Sequence, residues 1–405
     1  MADIAPDTTN SGTDSIVYSL EQVVHAALAL GLPVAAWRLP LATETTVCIS
    51  FDKDLQISQP ALESSPYGFV FSPFVVEEQP SIFIKADVVY SSETGQIRFS
   101  AAVTEAQKQE FIVTLEQPQT TNYSWHLHAS ETINQQTETG FKSAVTEAIE
   151  TINQGQMEKV VLSRTALEPL PSSFNLVAAY SLVLQSYPGA FVSLVSVPEV
   201  GTWLGASPEI LVTIDPQNIF RTVALAGTQP ALGDEPVGNA IWRQKEIEEQ
   251  GMVERYILSC FKKLRLREYT EVGPRTIVAG NLMHLRTDFS VDLKEVDFPT
   301  LGTDMLELLH PTSAVCGLPK EPALNFILQH EGYNRSYYSG YLGPVNSPDG
   351  THLYVNLRCM QLLKDEAILY AGAGITGESD AEKEWQETQH KMQTMHKILS
   401  QFNFG

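Results

Sequence analysis

Cysteine is scarce here, with four thiols in 405 residues: Cys48, Cys260, Cys316 and Cys359. They are widely separated and include no C-x-x-C pair, which excludes a disulfide framework and a zinc knuckle. Positive charge is also scarce, since 26 Lys and Arg stand against 48 Asp and Glu, a net charge of −22. Nucleic acid and anionic membranes reward basic surfaces, so neither is expected as a partner. Long apolar runs are missing too. The stretch from Val23 to Trp37 is broken by His25, Gly31 and Pro33 and is too short to span a bilayer. No basic segment precedes it, so it does not read as a secretory signal, and a cytoplasmic protein is expected. Residues 1–14 are polar and turn-rich and read as a flexible tail.

What remains is ordinary soluble composition, 43% hydrophobic, on a chain long enough to bury a large core. No linker divides it, so residues 15–405 read as one domain, with a strand-rich part over 15–140 and a second part over 141–405. Helices are expected over Ser19–Leu30, Thr137–Gln154, Asn239–Arg267, Asp304–Leu309 and Lys320–Glu331, with another closing the chain. Thr46–Phe51, Gly68–Ser72, Ser81–Ala86 and Phe111–Leu115 read as strands. A strand over Lys159–Arg164 is followed by an antiparallel meander over Phe191–Val197, Thr202–Gly205, Glu209–Ile214 and Arg221–Ala226. Further strands are expected over Thr276–Arg286, Tyr337–Leu342, His352–Leu363 and Ala367–Ala373. Strands and helices are grouped rather than alternating, which favours α+β.

The chemistry is concentrated near the end. Ala371-Gly372-Ala373-Gly374-Ile375 reads as a glycine-rich turn able to aim backbone N–H groups at an anion. The following helix carries Glu384, Glu387 and Lys391 at i, i+3 and i+7, on one face above Met395 and Ile398. Two carboxylates entering an apolar groove repel each other, and a hard divalent cation, most often Mg²⁺, relieves that. Glu249 sits on the core-facing stripe of the long helix with Val253 and Tyr256. It either snorkels at a wet helix end or shares that metal site. Lys159 opens an apolar strand, as an edge charge or as a desolvated general base. Glu209 follows Ala-Ser-Pro, as a turn carboxylate or as an acid with a raised pKa. Arg358 lies in the apolar run Leu353–Leu363 and needs an acidic partner. His284 is mid-strand in Asn-Leu-Met-His-Leu.

Taken together these positions resemble the chorismate-utilising enzymes. The resemblance covers roughly the last two-thirds of the chain. It rests on Lys159-Val-Val-Leu-Ser-Arg164, Gly205-Ala-Ser-Pro-Glu209, Ala226-Gly227-Thr228, Glu249 and His284-Leu285. It continues through His310-Pro-Thr-Ser-Ala-Val-Cys-Gly-Leu-Pro319, Arg358, Ala371-Gly-Ala-Gly374 and Glu384-Trp-x-Glu387-Thr with Lys391. The resemblance implies a large α+β domain in which two packed sheets lie between helical layers. It implies Mg²⁺ held by Glu249 and Glu387, with Glu384 close by or bound through water. Arg358, Lys391 and backbone N–H groups near Gly372 would hold the carboxylates of chorismate. His284 would sit near the ring's C1 carboxylate, and Gly227 and Thr228 would face its hydroxyl side.

Branches of this family differ in the nucleophile. Lys159 matches the lysine base of the members that make isochorismate or salicylate. The turn after His310-Pro-Thr has Ala314 and Val315 where other branches carry a nucleophilic lysine or a threonine; a methyl group leaves room for water. The expectation is therefore isochorismate formation, with Lys159 as base and Glu209 as acid, and salicylate formation as the alternative. No glutaminase-like segment is present, so no glutaminase subunit is expected, and a monomer is the default. Gln250 stands where relatives often have histidine, Cys316 where serine is common, and Gly251 is unusual inside a helix.

Overall fold

The structure is a computed structural model and describes residues 16–117, 124–129, 136–231, 237–238, 240–279 and 282–404. The expected tail over 1–14 lies outside the described residues. Helix α1 (Leu20–Ala29) begins at Ser19, whose hydroxyl accepts from the Gln22 amide while the Gln22 side chain accepts from the Ser19 amide. That reciprocal cap satisfies two amides the helix cannot. Seven strands follow: β1 (Val34–Arg38), β2 (Thr46–Ile49), β3 (Gln56–Ile57), β4 (Gly68–Ser72), β5 (Ser81–Lys85), β6 (Val88–Ser91) and β7 (Gln96–Phe99). Next come α2 (Glu105–Leu115), α3 (Glu138–Asn153), β8 (Lys159–Pro169), α4 (Leu176–Ser186), β9 (Phe191–Val197), β10 (Gly201–Ser207), β11 (Ile210–Ile214), β12 (Ile219–Pro230) and α5 (Gln244–Lys263). The remainder is β13 (Thr270–Ala279), β14 (Leu282–Asp292), α6 (Leu301–Leu309), β15 (Gly317–Leu318), α7 (Lys320–His330), β16 (Tyr341–Val345), β17 (Thr351–Val355), β18 (Cys359–Leu362), β19 (Glu366–Ile375) and α8 (Ala381–Ser400).

The strands form two antiparallel sheets. One has ten strands in the order β15-β8-β19-β18-β10-β9-β1-β2-β6-β7, the other nine in the order β13-β14-β12-β11-β17-β16-β4-β5-β3. They face each other across an aromatic layer. Trp37 of β1 meets Phe69 of β4 with ring centroids 5.3 Å apart, and Phe191 of β9 stacks on Tyr354 of β17 at 4.2 Å. Each such pair adds about 0.5–1.5 kcal/mol beyond the area it buries. Helices α1, α2, α4 and α8 cover the outer face of the ten-stranded sheet, through Val23, Phe111, Tyr180 and Met395 among others. Helices α5 and α6 cover the nine-stranded sheet through Ile257, Phe261, Met305 and Leu309, and α3 and α7 continue that cluster over β8. The expected α+β sandwich between helical layers is what is found.

Several expected elements differ. Phe111–Leu115 is the end of α2, not a strand. Thr104 and Gln107 cap that helix reciprocally, and Phe111 and Leu115 share one buried stripe at i and i+4. The expected meander is divided: β9 and β10 belong to one sheet, β11 and β12 to the other. Thr276–Arg286 is a hairpin of β13 and β14 rather than one strand. Tyr337–Tyr338 precede β16 in a turn. His352–Leu363 is likewise two strands, β17 and β18, in different sheets. The long helix spans Gln244–Lys263 and is shorter than expected; Asn239 lies outside the described residues.

Candidate active site

Two chain crossings between the sheets organise the site. Pro208 and Glu209 join β10 to β11, and Asn356 to Arg358 join β17 to β18, so both segments pass from one sheet to the other. They run side by side. The Val355 amide donates to Glu209 O at 3.0 Å, and the Ala206 amide donates to Arg358 O at 3.1 Å. Arg358 turns the corner in the left-handed region, with φ of 49°. Its side chain reaches Thr394 of α8 at 3.5 Å. Burial lowers the pKa of the guanidinium, while Tyr338, Glu387, Tyr187 and Glu209 act against that shift.

Lys159 starts β8 and is half-buried. Burial lowers the pKa of its ammonium; the carboxylates of Glu249, Glu209 and Glu387 oppose this and Lys391 adds to it. All four charges therefore act on the Lys159 amine. A lowered pKa raises the share of neutral amine, the form that can take a proton. Glu209 shows the complementary effect: burial pushes its carboxyl up to about 7, against Lys159, Lys391 and Arg358. A carboxyl in that range holds a proton it can donate. Glu209 also lines a cleft with Val253, Tyr256, Thr312 and Ala314, which places the turn before β15 beside the acid. Within that turn the Val315 amide donates to Thr312 O at 3.1 Å.

Gly227 forms a bulge in β12. The register against β14 skips from Ala226 opposite Leu285 to Thr228 opposite His284, and Gly227 takes φ of 62°. The freed Gly227 carbonyl lies 3.2 Å from His284 Nδ1. A carbonyl only accepts, so Nδ1 carries the proton and Nε2 the lone pair. Burial lowers the pKa of His284, which favours the neutral ring.

The glycine-rich segment is not a turn. Ala371–Ile375 continues β19, paired residue by residue with β8, with Gly372 opposite Ser163 and Gly374 opposite Val161. The glycines provide close approach instead. A Cβ on Gly374 would stand 3.1 Å from Lys159 Cε, and one on Gly372 would stand 3.1 Å from the Tyr338 hydroxyl. Lys391 donates to Gly372 O at 2.8 Å and pairs with Glu387 at 2.6 Å.

Glu384 is buried on α8, Glu387 is exposed one turn on, and Glu249 is half-buried on α5. Among the described residues no three acids, histidines or cysteines are gathered closely enough to hold a metal ion. Glu387 is turned onto Lys391. The donor chemistry nonetheless fits Mg²⁺, which takes hard carboxylate oxygens. Glu249 on α5 and Glu387 on α8 both act electrostatically on Lys159.

Tyr338 escaped the sequence reading, and two residues it had named take parts it did not assign. The Tyr338 hydroxyl lies against Gly372, in a segment that read only as a strand. Gly374 makes room for Lys159. Gln250, 1% exposed, accepts from the Ala226 amide at 2.9 Å and donates to Thr287 at 3.1 Å, fixing α5 to β12 and β14 beside the bulge. A glutamine among apolar helix residues, next to Glu249, was the available signal. A wider groove lined by Trp125, Leu170, Phe174 and Lys364 contains none of the expected site residues. No helix among the described residues is long and apolar enough to cross a membrane.

Comparison with known proteins agrees with this fold. A family model described as chorismate binding enzyme matches residues 41–400. The isochorismate synthase EntC of Escherichia coli K12 is 28% identical over 267 residues, 65% of this chain and 67% of EntC. Anthranilate synthase component 1 of Streptomyces coelicolor is 30% identical over 269 residues, 64% of this chain, and the match spans about half of that relative, 51%. In fold, the chain is similar to MenF, the menaquinone-specific isochorismate synthase of Escherichia coli, with a TM-score of 0.74 and 23% identity over 93% of this chain and 91% of MenF. With a family model matching residues 41–400, most of its length, the chain belongs to the chorismate-binding enzyme family.

Proposed function

We propose that the protein is an isochorismate synthase that converts chorismate reversibly to isochorismate with Mg²⁺. The observation that carries this reading is the pair Lys159 and Glu209: an amine with lowered pKa and a carboxyl raised to about 7, each acting on the other. Lys159, neutral, takes a proton from a water molecule, and that oxygen bonds to C2 of the ring. The ring double bonds shift and the C4–O bond breaks. Glu209 gives its proton to the departing hydroxyl, which leaves as water. One water enters and one leaves, so the reaction is an isomerisation.

The other residues bind and orient. Arg358 and Lys391 offer cations to the two substrate carboxylates, a need made sharper by the net charge of −22. His284, neutral, and the Gly227–Thr228 bulge face the ring. Ala314 and Val315 bound the side from which water approaches, and the small Ala314 side chain leaves space for it. Glu249, Glu384 and Glu387 are the residues that would hold Mg²⁺, whose charge would neutralise a ring carboxylate and draw electron density from the ring.

The test is incubation of pure protein with chorismate and Mg²⁺, followed by separation of products and fluorescence. Isochorismate and no salicylate is the expected result. Salicylate release without a second enzyme overturns the isomerase reading in favour of salicylate synthesis. Aminated products on adding ammonium salts, or no turnover at all, overturn it altogether.

A further inference from the structure

Strand β8 runs for eleven residues, but on one side its strand partner is very short. β15 pairs only through Leu318 opposite Lys159 and Gly317 opposite Val160, and Cys316 O then accepts from the Val161 amide at 2.8 Å. The next groups along that edge are the Val161 carbonyl and the Ser163 amide. Side chains meet both. Arg335 Nη2 donates to Val161 O at 2.7 Å, and Glu331 Oε1 accepts from the Ser163 amide at 2.7 Å and from its hydroxyl at 3.0 Å. One acceptor and one donor are thus supplied at ladder spacing by an ion pair instead of a strand. Arg335 Nε donates to Glu331 Oε2 at 2.8 Å, and the guanidinium lies 4.3 Å from the centre of the Phe74 ring. The two side chains are 2% and 1% exposed.

The third arm of the guanidinium reaches elsewhere. Arg335 Nη1 donates to Val315 O at 2.7 Å. One rigid, planar group therefore ties the strand that begins with Lys159 to the turn that contains Ala314. Burying two charges costs several kcal/mol before their attraction returns it, and apolar residues could fill the same volume. Apolar residues could not bridge two carbonyls from different segments.

We propose that Arg335, held by Glu331, is a positioning residue that sets the spacing between the Lys159 amine and the Ala314–Val315 wall of the water pocket. This rests on the function proposed above. The clamp acts through Lys159 and Ala314 without touching substrate. A lysine at 335 keeps the charge but offers a point donor, which cannot span both carbonyls as the planar fork does.

The test compares wild type with Arg335→Lys and Glu331→Gln, each checked for folding by circular dichroism. Hydrogen exchange is read on peptides covering 159–165 and 312–318, and kcat and KM are measured for chorismate. In Arg335→Lys both peptides are expected to exchange faster together, by about tenfold, with the β1–β2 region unchanged. The expected kcat loss is about 10–100-fold with KM within about twofold, because misplacement affects the attack more than binding. Glu331→Gln keeps an acceptor for Ser163 and is expected to lose less. Unchanged exchange in both peptides overturns the clamp, whatever the activity. Faster exchange with unchanged kcat overturns its positioning role. A wild type that does not turn over chorismate overturns the proposed function, and the clamp is then decided by exchange alone.

Discussion

Gly374 and Lys159 are in contact across β19 and β8: a Cβ on the glycine would stand 3.1 Å from the lysine Cε and 3.7 Å from its Nζ. The strand tolerates alanine, but the lysine stem must give way by a few tenths of an ångström. Gly374→Ala is expected to fold normally and to lower kcat about 10–100-fold, the effect of moving a reacting group by a fraction of an ångström to an ångström. Steady-state kinetics beside a thermal melt checks it. An unchanged kcat means that the amine is not held where the reaction needs it.

Lys159→Ala removes the base and leaves the carboxylate-binding cations in place. Turnover is expected to drop at least ~10²–10⁴-fold. Calorimetry is expected still to detect chorismate binding with Mg²⁺. Near-normal turnover in this variant would mean that another group takes the proton.

Glu209 links activity to stability through pH. Its folded pKa, about 7, lies above its ordinary value of 4.5, so the folded state binds the proton more tightly than the unfolded one. Its stabilising effect is present below about 4.5 and is lost as pH rises through about 7. Glu209→Gln is therefore expected to be inactive yet more stable than wild type at pH 8, by ~1–3 kcal/mol, with the difference vanishing at pH 4. Urea melts at both pH values measure this. In the wild type the same group should give kcat a falling limb near pH 7.

Glu387 pairs with Lys391 at 2.6 Å, and Lys391 in turn holds Gly372 O. Glu387→Ala is expected to move the Mg²⁺ activation midpoint upward by about tenfold or more. Lys391→Met is expected to raise KM for chorismate while moving the Mg²⁺ midpoint little. An unchanged Mg²⁺ titration in Glu387→Ala would remove that residue from the metal site.

The candidate site was legible wherever a charge interrupts an apolar pattern. Lys159 at the head of an apolar strand, Glu209 after Ala-Ser-Pro, and the stripe of Glu384, Glu387 and Lys391 all carry that signal, and Glu209, Glu387 and Lys391 each act electrostatically on Lys159. Crossings between sheets were not legible. The apolar run through Arg358 looks continuous because both sheets bury their strands equally, and the corner is turned by a non-glycine residue at φ of 49°. Gly372 and Gly374 misled in the opposite direction. Glycine usually marks a turn, but here it lies within a paired strand because Tyr338 and Lys159 occupy the volume a side chain would need. The Arg335–Glu331 pair left no readable trace, since its partners are backbone atoms of distant segments.

Lys159 is anchored on the ten-stranded sheet and His284 on the nine-stranded one, while Glu209 and Arg358 span the gap. Under the proposed function, the thickness of the aromatic slab between the sheets is a catalytic dimension, like a shim that fixes the jaw of a vice. Phe191 stacked on Tyr354 and Trp37 against Phe69 contribute to that gauge, although none of the four is a reacting group. Trimming one of these rings would narrow or tilt the jaw, so damage to chemistry can originate in residues that never meet the substrate.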